Sequence, residues 1–164
     1  HNSICSTRIQ AGNGVPQLHA IMEVARAKQN YENELGRKLY FISDGGCSSP
    51  GDVSKALCFA DMVMVGNMFA GSQSTPGNII IQENQSYKVY SGSSTLKSVN
   101  VEGYIGKVKL KPTYPIILEE IMQGVRSCCS YQGVDNLTDL KDNPQFVEIT
   151  NAGIIESGAH DIIL

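Results

Sequence analysis

A pair of glycines separates a predicted buried strand from a predicted helix. Residues 39–42 are apolar, Asp44-Gly45-Gly46 follow them, and residues 53–57 have the composition of a helix. The backbone N–H groups of such a turn can point at an anion. A carboxylate at the strand end, as Asp44 offers, can accept hydrogen bonds from sugar hydroxyls. The alternative is an ordinary strand-to-helix turn whose glycines supply only backbone freedom, and the local pattern leaves both interpretations open.

The residues around this turn predict a strand–helix–strand unit. Ser49 suits the N-cap of the helix, Pro50 its first turn and Asp52 its positive end. Residues 62–65 form a second apolar run, which again ends in a glycine, Gly66. Two buried strands joined by a helix predict parallel pairing, with both glycine turns at the same edge of the sheet. In α/β folds that edge holds the ligand.

The predicted fold class is α/β, as the C-terminal portion of a (β/α)8 TIM barrel that is incomplete on its own. A closed barrel needs about 250 residues, and this chain has 164. At the N-terminal end we predict a loop over 3–14, then a helix that begins at Pro16-Gln17 and ends in the polar run 29–34. After the strand–helix–strand unit we predict a hairpin of 79–81 with 87–90 and an extended stretch within 103–112. The last elements are helices over 116–129 and 135–142, a strand over 146–149, and a tail from 151 without a clear period.

Composition and charge exclude several classes of protein. A net charge of -3 offers no electrostatic case for binding nucleic acid or an anionic membrane, and no apolar run approaches a membrane span. Five cysteines without a CxxC spacing argue against a disulfide framework and a zinc site. We therefore expect a reducing, cytoplasmic setting. The first residue, His1, is neither an initiator Met nor part of a signal peptide, so we expect a chain that is cut from something longer or processed.

Three groups of motifs resemble the IMP dehydrogenase/GMP reductase family. The order and spacing of the motifs are those of the family, and they extend over nearly the whole chain. The resemblance implies that residues 1–164 are the C-terminal part of one catalytic barrel domain, beginning in the loop after the sixth strand. The motifs are Ser3-Ile4-Cys5-Ser6-Thr7-Arg8 with Gly14-Val15-Pro16-Gln17; Asp44-Gly45-Gly46 with Gly51-Asp52-Val53-Ser54-Lys55-Ala56, Val63-Met64-Val65-Gly66 and Ala70-Gly71; and Gly124-Val125-Arg126-Ser127 with Tyr131 and Gly133.

The resemblance implies that Cys5 is the nucleophile that adds to C2 of a purine ring, with Thr7 helping to move a proton. This chemistry needs a thiolate, whereas a free cysteine titrates near ~8.5. Judged without the family, a lone loop cysteine is more often inert, and Tyr90 would be a packing residue of the hairpin. The implied substrate-binding residues are Ser3, Gly46, Gly66, Asn67 and Tyr90 at the 5′-phosphate, Asp44 at the ribose, Gly45 between these two groups, and Gly92, Ser93 and Ser94 at the base.

Features of two subfamilies are combined in this sequence. Cys47 directly after the glycines and a short segment between Gly92 and Glu102 are similar to GMP reductase. Residues 152–161 are similar to the tail of IMP dehydrogenase, which reaches a neighbouring subunit and completes a potassium site. That similarity implies a cation site formed by Cys5, Glu156, Ser157 and Gly158. Residues 94–97, Ser-Thr-Leu-Lys, lack the carboxylate that the reductase carries there.

These features favour GMP reductase, which would convert GMP to IMP with NADPH through a cysteine adduct. The first alternative is IMP dehydrogenase, which would oxidise IMP with NAD. The second is an inactive paralogue that binds purine nucleotides without turnover. In each case we expect GMP or IMP as the ligand, a homotetramer, and a requirement for the missing N-terminal part of the barrel.

Overall fold

The computed structural model describes residues 7–91, 105–142 and 144–158. No helix in these ranges is both long enough and apolar enough to cross a bilayer. The elements, in chain order, are α1 (Thr7–Ala11), α2 (Gln17–Leu35), β1 (Ile42–Asp44), α3 (Pro50–Leu57), β2 (Met62–Met64), α4 (Asn67–Ala70), β3 (Ile79–Gln82), β4 (Gln85–Ser91), β5 (Ile105–Lys109), α5 (Tyr114–Gln132), α6 (Leu137–Asp142) and α7 (Asn151–Glu156).

The predicted strand–helix–strand unit is confirmed. β1 and β2 pair in parallel, with Ile42 opposite Met62 and Asp44 opposite Met64, and α3 connects them. Because side chains alternate along a strand, Ser43 points to one face and is fully buried, while Ile42 and Met64 point to the other and are half exposed. The helices cover one face of this sheet. The buried cluster on that side consists of Ile21, Cys47, Val53, Ala56, Met68, Ile117, Ile121 and Val125.

Helix α5 packs closely against α3, as its sequence period predicts. Ile117, Ile121 and Val125 lie on one helix face and are buried. At Gly124 a Cβ atom would stand 2.4 Å from Cβ of Pro50, so a glycine is required for the two helices to approach this closely. Gly133, with φ of 67°, ends the helix in the left-handed conformation.

The predicted hairpin is confirmed and is part of a three-stranded antiparallel sheet. β4 pairs with β3 on one side and with β5 on the other. The tight turn contains Glu83 and Asn84, both with positive φ, which is the conformation that a two-residue hairpin turn requires. β5 lies within the stretch predicted to be extended, residues 103–112.

Two predictions near the N-terminal end were wrong, the loop over 3–14 and the point where α2 ends. Residues 7–11 form α1 instead of a loop, and Asn13 satisfies its last carbonyl by donating its side-chain amide to the oxygen of Ala11 at 3.0 Å. The polar run 29–34 does not end α2, because Gln and Glu are good helix formers and Lys28 pairs with Glu32 one turn later. The helix ends at Gly36, whose φ is 62°.

Three further boundaries also differ from the prediction. β1 begins at Ile42 instead of residue 39 because Phe41, just before it, donates its N–H to the carboxylate of Asp61. Residues 146–149 have no neighbouring strand in the described chain, and Phe146 instead stacks on Phe59 at 5.6 Å between ring centroids. The tail contains α7, which Thr150 begins by accepting a hydrogen bond from the Gly153 N–H.

The predicted start of α3 is a complete capping box. The Ser49 hydroxyl accepts from the N–H of Asp52 at 3.2 Å, and the Asp52 carboxylate accepts from the N–H groups of Ser48 and Ser49, both at 3.1 Å. Partial burial by itself raises the pKa of Asp52, but these hydrogen bonds from Ser48 and Ser49 lower it overall. The charged form is therefore the one that the folded chain stabilises.

We expect Asp52→Asn to lower the free energy of unfolding by about 1–2 kcal/mol at pH 7, as the loss of a helix cap does. Since the folded-state pKa lies below the unfolded value, this contribution is present above about pH 4 and disappears as the pH falls through the folded-state pKa. Urea unfolding of both proteins at pH 7 and pH 3 measures the difference. Asp135→Asn, at an exposed carboxylate, is the control; a pH-independent gap between wild type and Asp52→Asn would contradict the expectation.

Candidate functional site

Both glycines that follow β1 require the left-handed conformation. Gly45 has φ of 86° and Gly46 of 78°, values that a residue with a Cβ atom adopts only with strain. The N–H of Gly45 donates to the carbonyl oxygen of Met64 at 3.3 Å. The turn is thus attached to the end of the neighbouring strand, at the sheet edge where the ligand was predicted.

Gln17 holds this turn from the other side. The sequence had indicated it as a helix start and as the end of a family motif, without a role at the site. Its side-chain amide donates to the hydroxyl of Ser43 at 3.3 Å and to the carbonyl oxygen of Asp44 at 3.1 Å. A Cβ atom on Gly46 would stand 2.7 Å from both Cβ and Cγ of Gln17. The first residue of α2 therefore sets the conformation of the glycine turn. The sequence separation of 27 between Gln17 and Asp44 explains why no local pattern revealed this contact.

Asp44 ends β1 with its side chain exposed. Its backbone oxygen accepts from Gln17, whereas its carboxylate has no hydrogen bond or ion pair within residues 7–91, 105–142 and 144–158. A carboxylate at this edge has its full capacity for accepting hydrogen bonds available to a ligand. The ribose role that the resemblance implies for Asp44 stays a prediction.

The second glycine turn, after β2, lies beside the hydroxyl of Tyr90. A Cβ atom on Gly66 would stand 2.7 Å from the Tyr90 oxygen, so only a glycine lets the phenol approach this closely. The carbonyl of Gly66 accepts from the N–H groups of Phe69 and Ala70 at 3.1 and 3.0 Å and so begins α4 at Asn67. The structure thus brings together three residues that the sequence predicted as one phosphate subsite: Gly66, Asn67 and Tyr90.

The buried cysteines are unsuited to nucleophilic chemistry. Burial, and then the nearby Asp52 charge, raises the pKa of Cys47, which lies in the core directly behind Gly46. Burial, and then Cys128 and Cys129, raises the pKa of Cys58 to about 11. Because the thiolate is the reactive form, these thiols are inert at neutral pH. We therefore interpret Cys47 and Cys58 as packing residues.

Several predicted site residues are not covered by the described ranges. Thr7 is the first residue of α1, so its backbone position is known. The residues that lie outside the described part of the chain are Ser3, Cys5, Gly92, Ser93 and Ser94. Their roles, like that of Thr7, remain predictions.

The predicted cation-site residues Glu156, Ser157 and Gly158 form the C-terminal end of α7. Ser157 caps the helix and donates both its N–H and its hydroxyl to the carbonyl of Gly153. The last carbonyls of a helix lack intrahelical partners and carry partial negative charge, which suits a cation held by backbone oxygens. Side chains offer no alternative in the described chain, where no group of three His, Cys, Asp or Glu residues could hold a metal ion.

Comparisons with known proteins find related sequences over nearly the whole chain. A family model described as the IMP dehydrogenase / GMP reductase domain matches residues 1–160. The inosine-5′-monophosphate dehydrogenase of Aquifex aeolicus is 38% identical over 178 residues, which cover 98% of this chain and 35% of that protein. The GMP reductase of Leishmania donovani is 34% identical over 179 residues, with coverage of 98% and 35%.

A solved structure has the same fold over the same range. The crystal structure of a GMP reductase variant from Trypanosoma brucei, in complex with guanosine 5′-monophosphate, superimposes with a TM-score of 0.88 at 33% identity. The match covers 99% of this chain and 35% of that one. The chain therefore spans about a third of the length of the proteins it matches, in a family that includes both reductases and dehydrogenases. With a family model matching nearly every residue and relatives above 30% identity, the chain belongs to the IMP dehydrogenase/GMP reductase family.

Proposed function

We propose that the chain is the C-terminal part of the catalytic barrel of a purine nucleotide oxidoreductase, acting as a GMP reductase. The observation that carries the proposal is the edge of the β1–β2 sheet. There a left-handed glycine turn and a second glycine, beside the Tyr90 hydroxyl, follow adjacent parallel strands. The first strand ends in the Asp44 carboxylate, which has no partner among the described residues. A nucleoside monophosphate needs the same three things: N–H and O–H donors for its phosphate, and an acceptor for its ribose hydroxyls.

Each group of the nucleotide has a proposed binding residue. The 5′-phosphate binds at Ser3, Gly46, Gly66, Asn67 and Tyr90, and Gly45 belongs to the same turn as Gly46. The Asp44 carboxylate accepts from the ribose hydroxyls, and the backbone of Gly92, Ser93 and Ser94 contacts the base. In this proposal C2 of the purine is the atom that the Cys5 thiolate attacks.

The proposed reaction begins with attack of the Cys5 thiolate on C2 of GMP. A C–S bond forms, C2 becomes tetrahedral, and the exocyclic amine leaves as ammonia after it takes up a proton that Thr7 helps to deliver. A nicotinamide cofactor, NADPH in this proposal, would supply a hydride to C2. The C–S bond would then break, which returns the electron pair to the Cys5 sulfur as a thiolate and leaves IMP. This chain supplies residues for two steps, the nucleophilic attack of Cys5 on C2 and the proton transfer at Thr7.

IMP dehydrogenase is the second candidate, since the matched relatives carry both names. In that case IMP loses hydride to NAD, and water then releases the product from Cys5. The tail over 152–161 favours this direction, whereas Cys47 and the short 92–102 segment favour the reductase. A paralogue that only binds the nucleotide is the third candidate, because residues 94–97 carry no carboxylate.

We further propose that this part of the chain functions inside a complete barrel. Ile42, Met62 and Met64 of the small parallel sheet are about half exposed, and two strands alone cannot bury both faces. The remaining strands of the barrel would cover this face. We also propose that the protein is a cytoplasmic homotetramer. In this proposal Cys5 and the carbonyls of Glu156, Ser157 and Gly158 hold a potassium ion.

An assay of the protein with its whole barrel distinguishes the candidates. We expect consumption of NADPH with GMP, and not formation of NADH with IMP, at saturating nucleotide. Calorimetric titration of GMP and IMP is carried out on the same sample. Turnover of IMP with NAD would favour the dehydrogenase; binding of either nucleotide without turnover would favour the third candidate; and no binding at all would contradict the proposed site.

A further inference from the structure

Lys111 packs against α4, the short helix that follows the second glycine turn. Its side chain contacts the start of this helix and its backbone contacts the residues that follow it. Its ammonium donates to the carbonyl oxygens of Asn67 and Met68, the latter at 3.2 Å. Its backbone N–H donates to the oxygen of Gly71 at 2.7 Å, and its carbonyl accepts from the Gln73 N–H at 3.2 Å. One residue therefore holds both ends of α4.

A helix of four residues, such as α4, depends on contacts of this kind. Helices this short are unstable alone because the first turn costs more conformational entropy than its hydrogen bonds recover. The contacts that fix the direction of the Gly66–Asn67 turn must therefore come from elsewhere in the fold. At the other end of α4, Gly71 packs directly against the backbone of β5. A Cβ atom there would stand 2.2 Å from the Lys109 oxygen, so no larger residue fits.

The charge of Lys111 is only partly satisfied. An ammonium has three N–H donors, and Lys111 has two carbonyl acceptors and no ion pair within the described residues. Lys88, which is buried nearby, differs: it donates to the carbonyls of Gln73 and Thr75 and also reaches the Thr75 hydroxyl. Burial lowers the pKa of Lys111, so this ammonium is one that a nearby anion would stabilise.

We propose that Lys111 is a positioning residue for the monophosphate. It orients the Gly66–Asn67 turn from behind through two carbonyls and places a partly uncompensated positive charge next to it. The inference rests on the proposed function, because it takes Gly66 and Asn67 to hold the phosphate. Its consequence is specific: Lys111 favours the nucleotide over the nucleoside and contributes little to the chemical step.

The test compares Lys111→Met with wild type in the protein with its whole barrel. We expect KM for GMP to rise about 10- to 100-fold, as for the loss of hydrogen bonds from a charged donor, while kcat changes less than about 3-fold. The affinity for guanosine, measured as a competitive inhibitor, stays the same. Lys111→Arg keeps the charge and the donors, so we expect its KM to stay within about 5-fold of wild type.

Lys107→Met is the matched control. Lys107 lies on β5 four residues earlier, is exposed, and donates to the Gln82 side chain at 2.9 Å; we expect it to leave the kinetic constants unchanged. Should Lys111→Met fail to fold, Lys111→Gln carries the same expectation for the ratio of GMP to guanosine affinity.

An unchanged KM in Lys111→Met, or equal losses of GMP and guanosine affinity, would overturn the inference and leave the proposed function intact. Wild-type protein that binds neither GMP nor IMP would instead remove the proposed function itself.

Discussion

Replacing Cys5 by alanine is expected to lower kcat by about 1,000-fold or more and to leave the affinity for GMP or IMP nearly unchanged. Removing a covalent nucleophile eliminates the step that makes C2 tetrahedral, whereas the phosphate and ribose contacts are made elsewhere. Steady-state kinetics measure the loss, and calorimetric titration of the nucleotide measures the retained binding. A loss of kcat with intact binding is the pattern expected of a group that acts only on the reacting atom.

Cys128→Ala is the matched control for this experiment. Cys128 carries the same thiol on α5, on the helical layer of the fold and away from the glycine turns, and is partly buried. We expect its kcat to remain within about 2-fold of wild type, as for most residues that do not touch the substrate. Turnover that survives Cys5→Ala, or that is lost in Cys128→Ala, would contradict the assignment of the nucleophile.

Replacing Gly46 by alanine is expected to have the second largest effect, on both stability and binding. The left-handed backbone costs a residue with a Cβ about 1–2 kcal/mol. The added atom also stands 2.7 Å from Cβ and Cγ of Gln17, and such overpacking costs about 1–3 kcal/mol more. Moving Gln17 breaks its hydrogen bonds to Ser43 and Asp44. We expect the Kd of the nucleotide to rise at least about 10-fold, since each lost hydrogen bond contributes about 1 kcal/mol.

The Gly36→Ala variant separates the cost of the left-handed backbone from the cost of the clash with Gln17. Gly36 ends α2 with φ of 62°, and a Cβ atom there would contact nothing within 4 Å. This variant therefore loses only the backbone contribution of about 1–2 kcal/mol and binds the nucleotide as wild type does. Chemical unfolding and calorimetric titration of both variants provide the comparison. Equal stability losses in Gly46→Ala and Gly36→Ala, with unchanged binding, would show that Gln17 does not hold the turn.

Short-range patterns were sufficient for the elements around the site. The Ser49-Pro50-Gly51-Asp52 start of α3 satisfies its own backbone donors within four residues, so the local sequence decides where that helix begins. The period of Ile117, Ile121 and Val125 likewise predicts the buried face of α5, because side chains three or four residues apart lie on one face. Glycines after two apolar runs predicted both turns at one sheet edge.

Boundaries that depend on partners elsewhere were not predictable in this way. Residues 146–149 have strand-like composition but lack a neighbouring strand in the described chain, and Phe146 packs on Phe59 instead. Composition measures the preference of a residue, whereas a strand also needs a second chain segment to pair with. α2 similarly continues through a polar run because nothing in residues 29–34 forbids it and Gly36 ends it later.

The sequence by itself determined the family, the parallel strand pair, and the residues that could bind a nucleotide, since motif order and local periodicity are properties of the chain. Only the tertiary structure decided how the two glycine turns are held. Gln17 contacts the first turn across 27 residues, and Lys111 contacts the second across 44. Such contacts arise when packed helices and sheets bring distant residues together. Their energy depends on distances of a few ångströms, which no spacing along the chain encodes.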